Sequence, residues 1–118
     1  MKVEMTPSEI IRGLEHYNRE LSKKNAELLD LAETKAQAER TFNVKAAQKA
    51  VELKKASVPM AIITLMIKGD SEVSLARYDY DIAEATYRAC LERIRDIRTA
   101  IDTYRSLLSW LKAEMEAR

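Results

Sequence analysis

Residues that interrupt helices are scarce in this sequence. Its 118 residues include only two glycines, Gly13 and Gly69, and two prolines, Pro7 and Pro59. Phenylalanine and tryptophan occur once each, whereas alanine, leucine, isoleucine, glutamate, lysine and arginine dominate. Strands favour β-branched and aromatic side chains, so we expect no sheet. The composition is typical of long helices and predicts an all-α fold.

Residues that carry chemistry are also scarce. The single histidine, His16, has no His or Cys at metal-ligand spacing, and the chain has no glycine-rich phosphate loop or CxxC motif. The single cysteine, Cys90, cannot form a disulfide within the chain, and its place in an apolar pattern predicts a core position. We therefore predict a protein that is not an enzyme and that needs no cofactor or metal.

Neither the charge nor the apolar segments favour a membrane or nucleic acid. The formal net charge is +1, and attraction to phosphate requires an excess of positive charge. The N-terminus has no apolar stretch of the kind found in signal peptides, so the expected compartment is the cytoplasm. The one apolar run, from Met60 to Ile67, is about half the ~20 residues that a spanning helix needs. A membrane partner is not expected.

A heptad pattern organises the second half of the chain. In steps of three and four, thirteen successive positions carry no charged residue, which amounts to about six repeats. These positions are Val73, Ala76, Tyr80, Ala83, Tyr87, Cys90, Ile94, Ile97, Ile101, Tyr104, Leu108, Leu111 and Met115. Such a helix has to bury its apolar stripe against another helix. We therefore interpret this row, the heptad seam, as a self-association seam.

The first half of the chain predicts a second long helix, over about residues 7–56. Thr6 as N-cap, Pro7 at the first helical position and Glu9 three residues after Thr6 form a helix-start signature. An apolar stripe begins at Ile10 and continues with weaker, alanine-rich members that include Val44 and Val51. We favour one continuous helix, with a break at residues 41–43 as the alternative.

The segment 57–70 separates the two long helices. Pro59 disfavours helix at Val58 and so ends the first helix. The apolar run that follows predicts a short helix, with Gly69 as its C-terminal cap. Asp70 or Ser71 then caps the last helix, over about residues 71–117.

The lengths and charges of the two long segments predict one domain, residues 1–118, folded as a long antiparallel helical hairpin. With the turn centred near Ile63, residue n lies opposite about 126 minus n. Lysines around Lys49 then face the acidic region from Asp70 to Glu84, and glutamates around Glu20 face arginines around Arg95. Two such hairpins would assemble into a homo-oligomeric helical bundle, with a second stripe (Leu75, Ile82, Ala89, Trp110) widening the contact.

The apolar turn is the feature that a bundle explains least well. Its candidate partner-binding residues are Met60, Ile62, Ile63, Leu65, Met66 and Ile67. A two-helix hairpin has no core at its turn deep enough for all of them, and exposed apolar patches mark interfaces. Three occupants would fit such a patch: a second copy of the chain, another protein, and a membrane surface. The alternative is that the short helix folds back on Leu53, Val73 and Leu75.

Four arginines offer a weaker candidate site for nucleic acid: Arg88, Arg93, Arg95 and Arg98. Tyrosines nearby could stack on bases. Glu92 and Asp96 interleave with the arginines, however, and Tyr80 and Tyr87 lie in the heptad seam. A surface of ion pairs is the favoured interpretation.

Several features together resemble short helical coiled-coil proteins of bacteriophages and prophages. They are the alanine-rich first helix, the turn Lys68-Gly69-Asp70, the Ala and Tyr repeat from Ala76 to Tyr87, and the segment from Tyr104 to Glu114. The resemblance implies a phage setting, in the cytoplasm of the bacterial host, and carries no site residues over.

The sequence thus predicts a non-enzymatic protein that self-associates and binds a host or phage protein, such as a defence or nucleic-acid-handling factor. The alternatives are an accessory protein of phage recombination or DNA end protection, and a structural or scaffold component.

Overall fold

The structure is a computed structural model that describes residues 5–117. Its three helices are α1, Pro7–Lys55, α2, Met60–Gly69, and α3, Ser71–Glu116, and no strand occurs among the described residues. The predicted all-α class is confirmed. The chain divides into two compact units, unit 1 with residues 5–28 and 89–117, and unit 2 with residues 29–88. The prediction of a single domain stays a prediction.

Helix α1 begins and continues as its sequence predicts. The backbone N–H of Glu9 donates to Thr6 Oγ1 at 3.2 Å, which confirms Thr6 as the N-cap. The helix is unbroken through residues 41–43, so the alternative of a break there is wrong.

The end of α1 depends on Ser57. Ser57 has a φ of 59°, the left-handed conformation that usually selects glycine. Its N–H donates to the Lys54 carbonyl at 3.0 Å, and the Val58 N–H donates to the Leu53 carbonyl at 3.1 Å. These two hydrogen bonds form a Schellman motif. It ends α1 at Lys55, so the helix stops before the position at which Pro59 would disfavour it.

The predicted role of Gly69 is wrong. Gly69 is the last residue of α2, and no described glycine has a positive φ. The chain leaves α2 at Asp70, whose backbone is extended (φ −66°, ψ 133°) and whose N–H donates to the Ile67 carbonyl. Every residue type can adopt this extended conformation, so glycine is not required at the end of α2. The position can therefore be occupied by a residue that caps α3.

In unit 1, α1 and α3 pack through apolar side chains. The core contains Ile10, Cys90, Ile94, Ile97 and Ile101, all buried. The Tyr17 and Tyr104 rings lie 5.7 Å apart, and the Cys90 thiol lies 3.6 Å from the Lys24 carbonyl oxygen. Partners later in α1 meet partners earlier in α3, so the two helices run antiparallel here.

In unit 2, α1 and α3 are also antiparallel. Leu53, Ile63, Val73, Ala76 and Ala83 are buried. The Phe42 and Tyr80 rings stack at 6.4 Å, and the Lys35 ammonium lies 4.9 Å from the centre of the Tyr87 ring.

The contacts of unit 2 shift the predicted register by four to seven residues, as Phe42 with Tyr80 and Lys49 with Asp70 show. Lys49 Nζ lies 3.4 Å from Asp70 Oδ1, whereas the sequence estimate placed Lys49 opposite a residue near position 77. The start of α3 is therefore level with residues 49–52, and α1 continues beyond it for about one turn. The prediction assumed that both helices stop level with each other, and the position of the Ser57 turn breaks that assumption.

Candidate functional site

The heptad seam lies against α1 of the same chain. Seven of its thirteen residues are buried and five are half-buried (Tyr80, Tyr87, Tyr104, Leu108 and Leu111). Met115 is the exception, with 67% of its surface exposed. The buried seam residues thus pack within each unit, and the role of the seam in self-association stays a prediction.

The tyrosines of the seam belong to the core rather than to a stacking platform. Tyr80 stacks on Phe42, and burial raises the pKa of the Tyr80 hydroxyl, with Glu39 adding to the shift. The Lys35 ammonium is held over Tyr87. Their ring faces are already in use, as the sequence predicted from their heptad positions.

Helix α2 exposes most of its large apolar side chains. Met60, Ile62, Leu65 and Met66 are exposed, and we call these four the α2 surface. Ile63 is buried, so the prediction that it belongs to a binding surface is wrong, whereas Ile67 is half-buried and its part in binding stays a prediction. They lie four residues apart, on the side of α2 that faces the rest of unit 2.

A groove runs beside α2 in unit 2. It has a volume of about 600 Å³ and is lined by Phe42, Ile67, Val73 and Arg77, among others. The Arg77 guanidinium lies 5.4 Å from the centre of the Phe42 ring and also pairs with Asp81 at 3.1 Å. Phe42, Ile67 and Val73 are the apolar residues of the lining, and no residue of the α2 surface contributes to it.

The arginines predicted as phosphate contacts are mostly paired with glutamates. Arg88 pairs with Glu84, and Arg95 Nη1 lies 2.8 Å from Glu92 Oε1. In unit 1, Arg93 Nε donates to Glu20 Oε1 at 2.9 Å, and this contact raises the pKa of Arg93. Within the part of the chain that the structure describes, only Arg98 of the four has no ion pair.

Two predicted groups of opposite charge meet across the helices. Lys45 and Lys49 pair with Glu72 and Asp70 in unit 2, and Glu20 pairs with Arg93 in unit 1. Lys54 and Lys55, which were expected to join them, have no ion pair among residues 5–117, because α1 extends beyond the start of α3.

Asp70 holds the start of α3. Its Oδ2 accepts from the backbone N–H groups of Val73 at 3.0 Å and Glu72 at 3.1 Å, and its Oδ1 faces Lys49. The Val73 N–H, followed by the Lys49 ammonium, holds the pKa of Asp70 below its usual value. The sequence predicts either Asp70 or Ser71 as the N-cap of α3, and these hydrogen bonds identify Asp70 as the cap.

Asp70→Asn should weaken the protein at neutral pH and matter less in acid. A lowered folded-state pKa stabilises the fold above the unfolded pKa of about 3.9, and this stabilisation is lost as pH falls through the folded value. The urea midpoints of wild type and Asp70→Asn should therefore differ at pH 7 and converge towards pH 3. Asp79→Asn, an exposed carboxylate without an ion pair, is the control. A midpoint difference that stays constant between pH 7 and pH 3 would contradict this role.

Residues 5–117 contain neither a metal-binding group of side chains nor a membrane-spanning helix. His16 is exposed and its Nε2 lies 3.6 Å from Glu20 Oε2, without a further ligand. No group of three or more His, Cys, Asp or Glu side chains in this range could hold a metal ion. None of its helices combines the length and apolar character required to cross a bilayer.

Two outer apolar stripes were missed or only partly recognised in the sequence. Val44 and Val51 of α1 were assigned to the buried stripe but are exposed. On α3, Leu75, Tyr78 and Ile82 are exposed; Leu75 and Ile82 belong to the second stripe of the sequence, and Tyr78 extends it. The spacing in the sequence carries a signal for these stripes. Val44, Val51 and Ile82 each follow by two positions a residue that contacts the other helix (Phe42, Lys49 and Tyr80), and two positions place a side chain on the opposite side of a helix.

Comparison of the chain with protein-family models, curated proteins and solved structures finds no match. The resemblance to phage proteins therefore stays a prediction.

Proposed function

We propose that this chain is a non-enzymatic protein-binding protein whose binding site is the α2 surface. The observation that carries the proposal is that a ten-residue helix exposes four large apolar side chains and buries only Ile63. Water around such side chains is released when a partner covers them, which drives association. Two of the four are methionines, whose flexible thioethers adapt to a partner's shape.

The packing around α2 supports this assignment. Leu53, Ile63 and Val73 are buried, so the unit has its own core without the α2 surface. The groove lies on another side of α2, where Thr64, Ile67 and Lys68 line it, and is not part of the proposed site. A partner helix or apolar side chain can therefore pack on the α2 surface without entering the core of unit 2.

The setting of this function follows the resemblance of the sequence. We infer that the chain is phage-encoded and that its partner is a host or phage protein, with defence and nucleic-acid-handling factors as the classes to examine first. We also infer that α1 and α3 form the two arms of one antiparallel hairpin. The opposite order of contacts along α1 and α3 within each unit supports this inference. Three of the four candidate arginines are already paired, so the proposal does not rest on phosphate contacts.

Leu65→Asp tests the α2 surface. Because Leu65 is 69% exposed, the substitution should leave the fold intact while it places a charge where the partner would exclude water. In affinity capture from bacterial lysate with quantitative mass spectrometry, we expect the captured partner to fall at least tenfold.

The matched control is Leu29→Asp, which makes the same chemical change on α1 at a residue that is 74% exposed. It should leave capture unchanged, and circular dichroism should show equal helicity for both variants and wild type. Equal capture by Leu65→Asp, Leu29→Asp and wild type would overturn the proposed site. Ile63→Asp is unsuitable as a test, because Ile63 is buried and the variant would unfold.

A further inference from the structure

Unit 2 carries an apolar stripe on the side of α1 that faces away from α3. Phe42 and Lys49 contact α3, and Val44 and Val51 each follow one of them by two residues. Two residues correspond to a rotation of about 200°, so the two valines lie on the far side of α1. We call Val44, Ala47 and Val51 the α1 outer stripe; all three are exposed and follow the three-four spacing of a helix contact.

Helix α3 of unit 2 has an equivalent stripe on its own far side. Val73 is buried and Tyr80 stacks on α1, and exposed apolar residues lie two positions away from each. We call Leu75, Tyr78, Ile82 and Ala85 the α3 outer stripe; all four are exposed and again follow the three-four spacing. The heptad seam and this stripe therefore occupy opposite sides of the same helix.

The charges beside the two outer stripes are opposite in sign. The α1 outer stripe lies next to Arg40, Lys54 and Lys55, exposed cations that have no ion pair within residues 5–117. The α3 outer stripe is flanked by Asp79, which also has no ion pair in that range, and by Asp81, which pairs with Arg77 across exposed surface. Exposed pairs of this kind are weak and can exchange partners.

We propose that the α1 outer stripe of one copy packs against the α3 outer stripe of a second copy. Apolar side chains at helical spacing would meet across the contact, and the cations of α1 would face Asp79 and Asp81 of the other copy. Complementary charges at the edge of such a contact select the partner and its orientation. Pairing of two α1 outer stripes would instead bring like charges together, and so would pairing of two α3 outer stripes at the level of Asp79.

This contact joins two different surfaces, so it leaves one stripe of each kind open in a dimer. Heterologous contacts continue until they close into a ring or extend as an open array. The assembly would use none of the four residues of the α2 surface. Self-association and partner binding would therefore occur on separate surfaces, and they can be disrupted separately.

Light scattering across a concentration series tests the proposal. The chain has a mass of 13.5 kDa, and the wild-type protein should rise beyond the mass of a dimer as concentration increases. An acid-swap variant, Asp79→Lys with Asp81→Lys, should remain a monomer, and so should a base-swap variant, Arg40→Glu with Lys54→Glu and Lys55→Glu. In an equimolar mixture of the two variants, the swapped stripes are again opposite in charge, so assembly should return.

The control reverses the same kind of charge in unit 1, with Arg19→Glu and Lys23→Glu, and should assemble like wild type. A wild-type protein that stays monomeric, one that stops at a dimer, or a mixture of swap variants that stays monomeric would overturn the proposal. Leu65→Asp should assemble normally. A variant that loses assembly but still captures the partner would be changed in the outer stripes. A variant that loses capture but still assembles would be changed in the α2 surface.

Discussion

Ile97→Ala should lower the free energy of unfolding by about 3 kcal/mol. Ile97 is 0% exposed and lies at the centre of the unit 1 core, between the buried residues Ile94 and Ile101. Truncation of a fully buried isoleucine loses the burial of its methylene and methyl groups and leaves a cavity, at a typical cost of about 2–5 kcal/mol. Single domains are stable by only about 5–15 kcal/mol, so this one change removes a large share.

Urea denaturation followed by circular dichroism measures this cost. The matched control is Ile11→Ala, the same truncation in the same unit at a residue that is 46% exposed. Its cost should stay below about 1 kcal/mol, because less apolar surface is lost and alanine favours the helix. Equal costs for the two variants would mean that Ile97 does not occupy a packed core.

Gly13→Ala should destabilise the protein by about 1 kcal/mol, against the usual preference of helices for alanine. A Cβ at Gly13 would lie 2.9 Å from Tyr104 Cζ and 3.0 Å from Tyr104 Cε1, which is closer than carbon atoms approach. The Tyr17 ring lies beside the Tyr104 ring, with centroids 5.7 Å apart and planes tilted by 37°, and it restricts movement of the Tyr104 ring along α1. The cost of overpacking, about 1–3 kcal/mol, should therefore exceed the gain of about 1 kcal/mol in helix propensity.

The sign should reverse when Tyr104 is shortened. Tyr104→Leu removes the ring atoms that approach Gly13 while it keeps an apolar side chain at this position. In that background Gly13→Ala should stabilise the protein by up to about 1 kcal/mol, which gives a coupling of about 2 kcal/mol between the two sites. A double-mutant cycle from urea denaturation measures this coupling. A coupling near zero would show that the ring does not lie on Gly13.

The sequence was sufficient for the features that depend on local chemistry and period. Thr6 and Pro7 located the start of α1, and the heptad positions identified Cys90 and Ile97 as core residues. Each of these predictions uses residues within a few turns of one another, where propensity and side-chain period act directly.

The sequence was not sufficient for the features that depend on one backbone angle. Ser57 ends α1 in a left-handed conformation, at a position where glycine would have been the recognisable signal. That turn fixes how far α1 extends beyond Asp70, and this offset decides which charges of the two helices meet. Ile63 and Leu65 are similar in chemistry. Which of them is buried depends only on which side of α2 packs against the rest of unit 2.

The two-sided character of α3 in unit 2 also bears on how the chain folds. Hydrophobic collapse alone would accept either side of α3 against α1, since Val73 and Ala76 lie on one side and Leu75 and Ile82 on the other. A half-turn rotation about the helix axis would thus give a competing compact state. Contacts with fixed geometry distinguish the native state: the Phe42 and Tyr80 rings stack, and Asp70 reaches Lys49 while it caps α3. These polar and aromatic contacts therefore add to the energy gap between the native and rotated arrangements. Ile94, Ile97 and Ile101 add to it as well, because the same rotation of the continuous helix α3 would expose them.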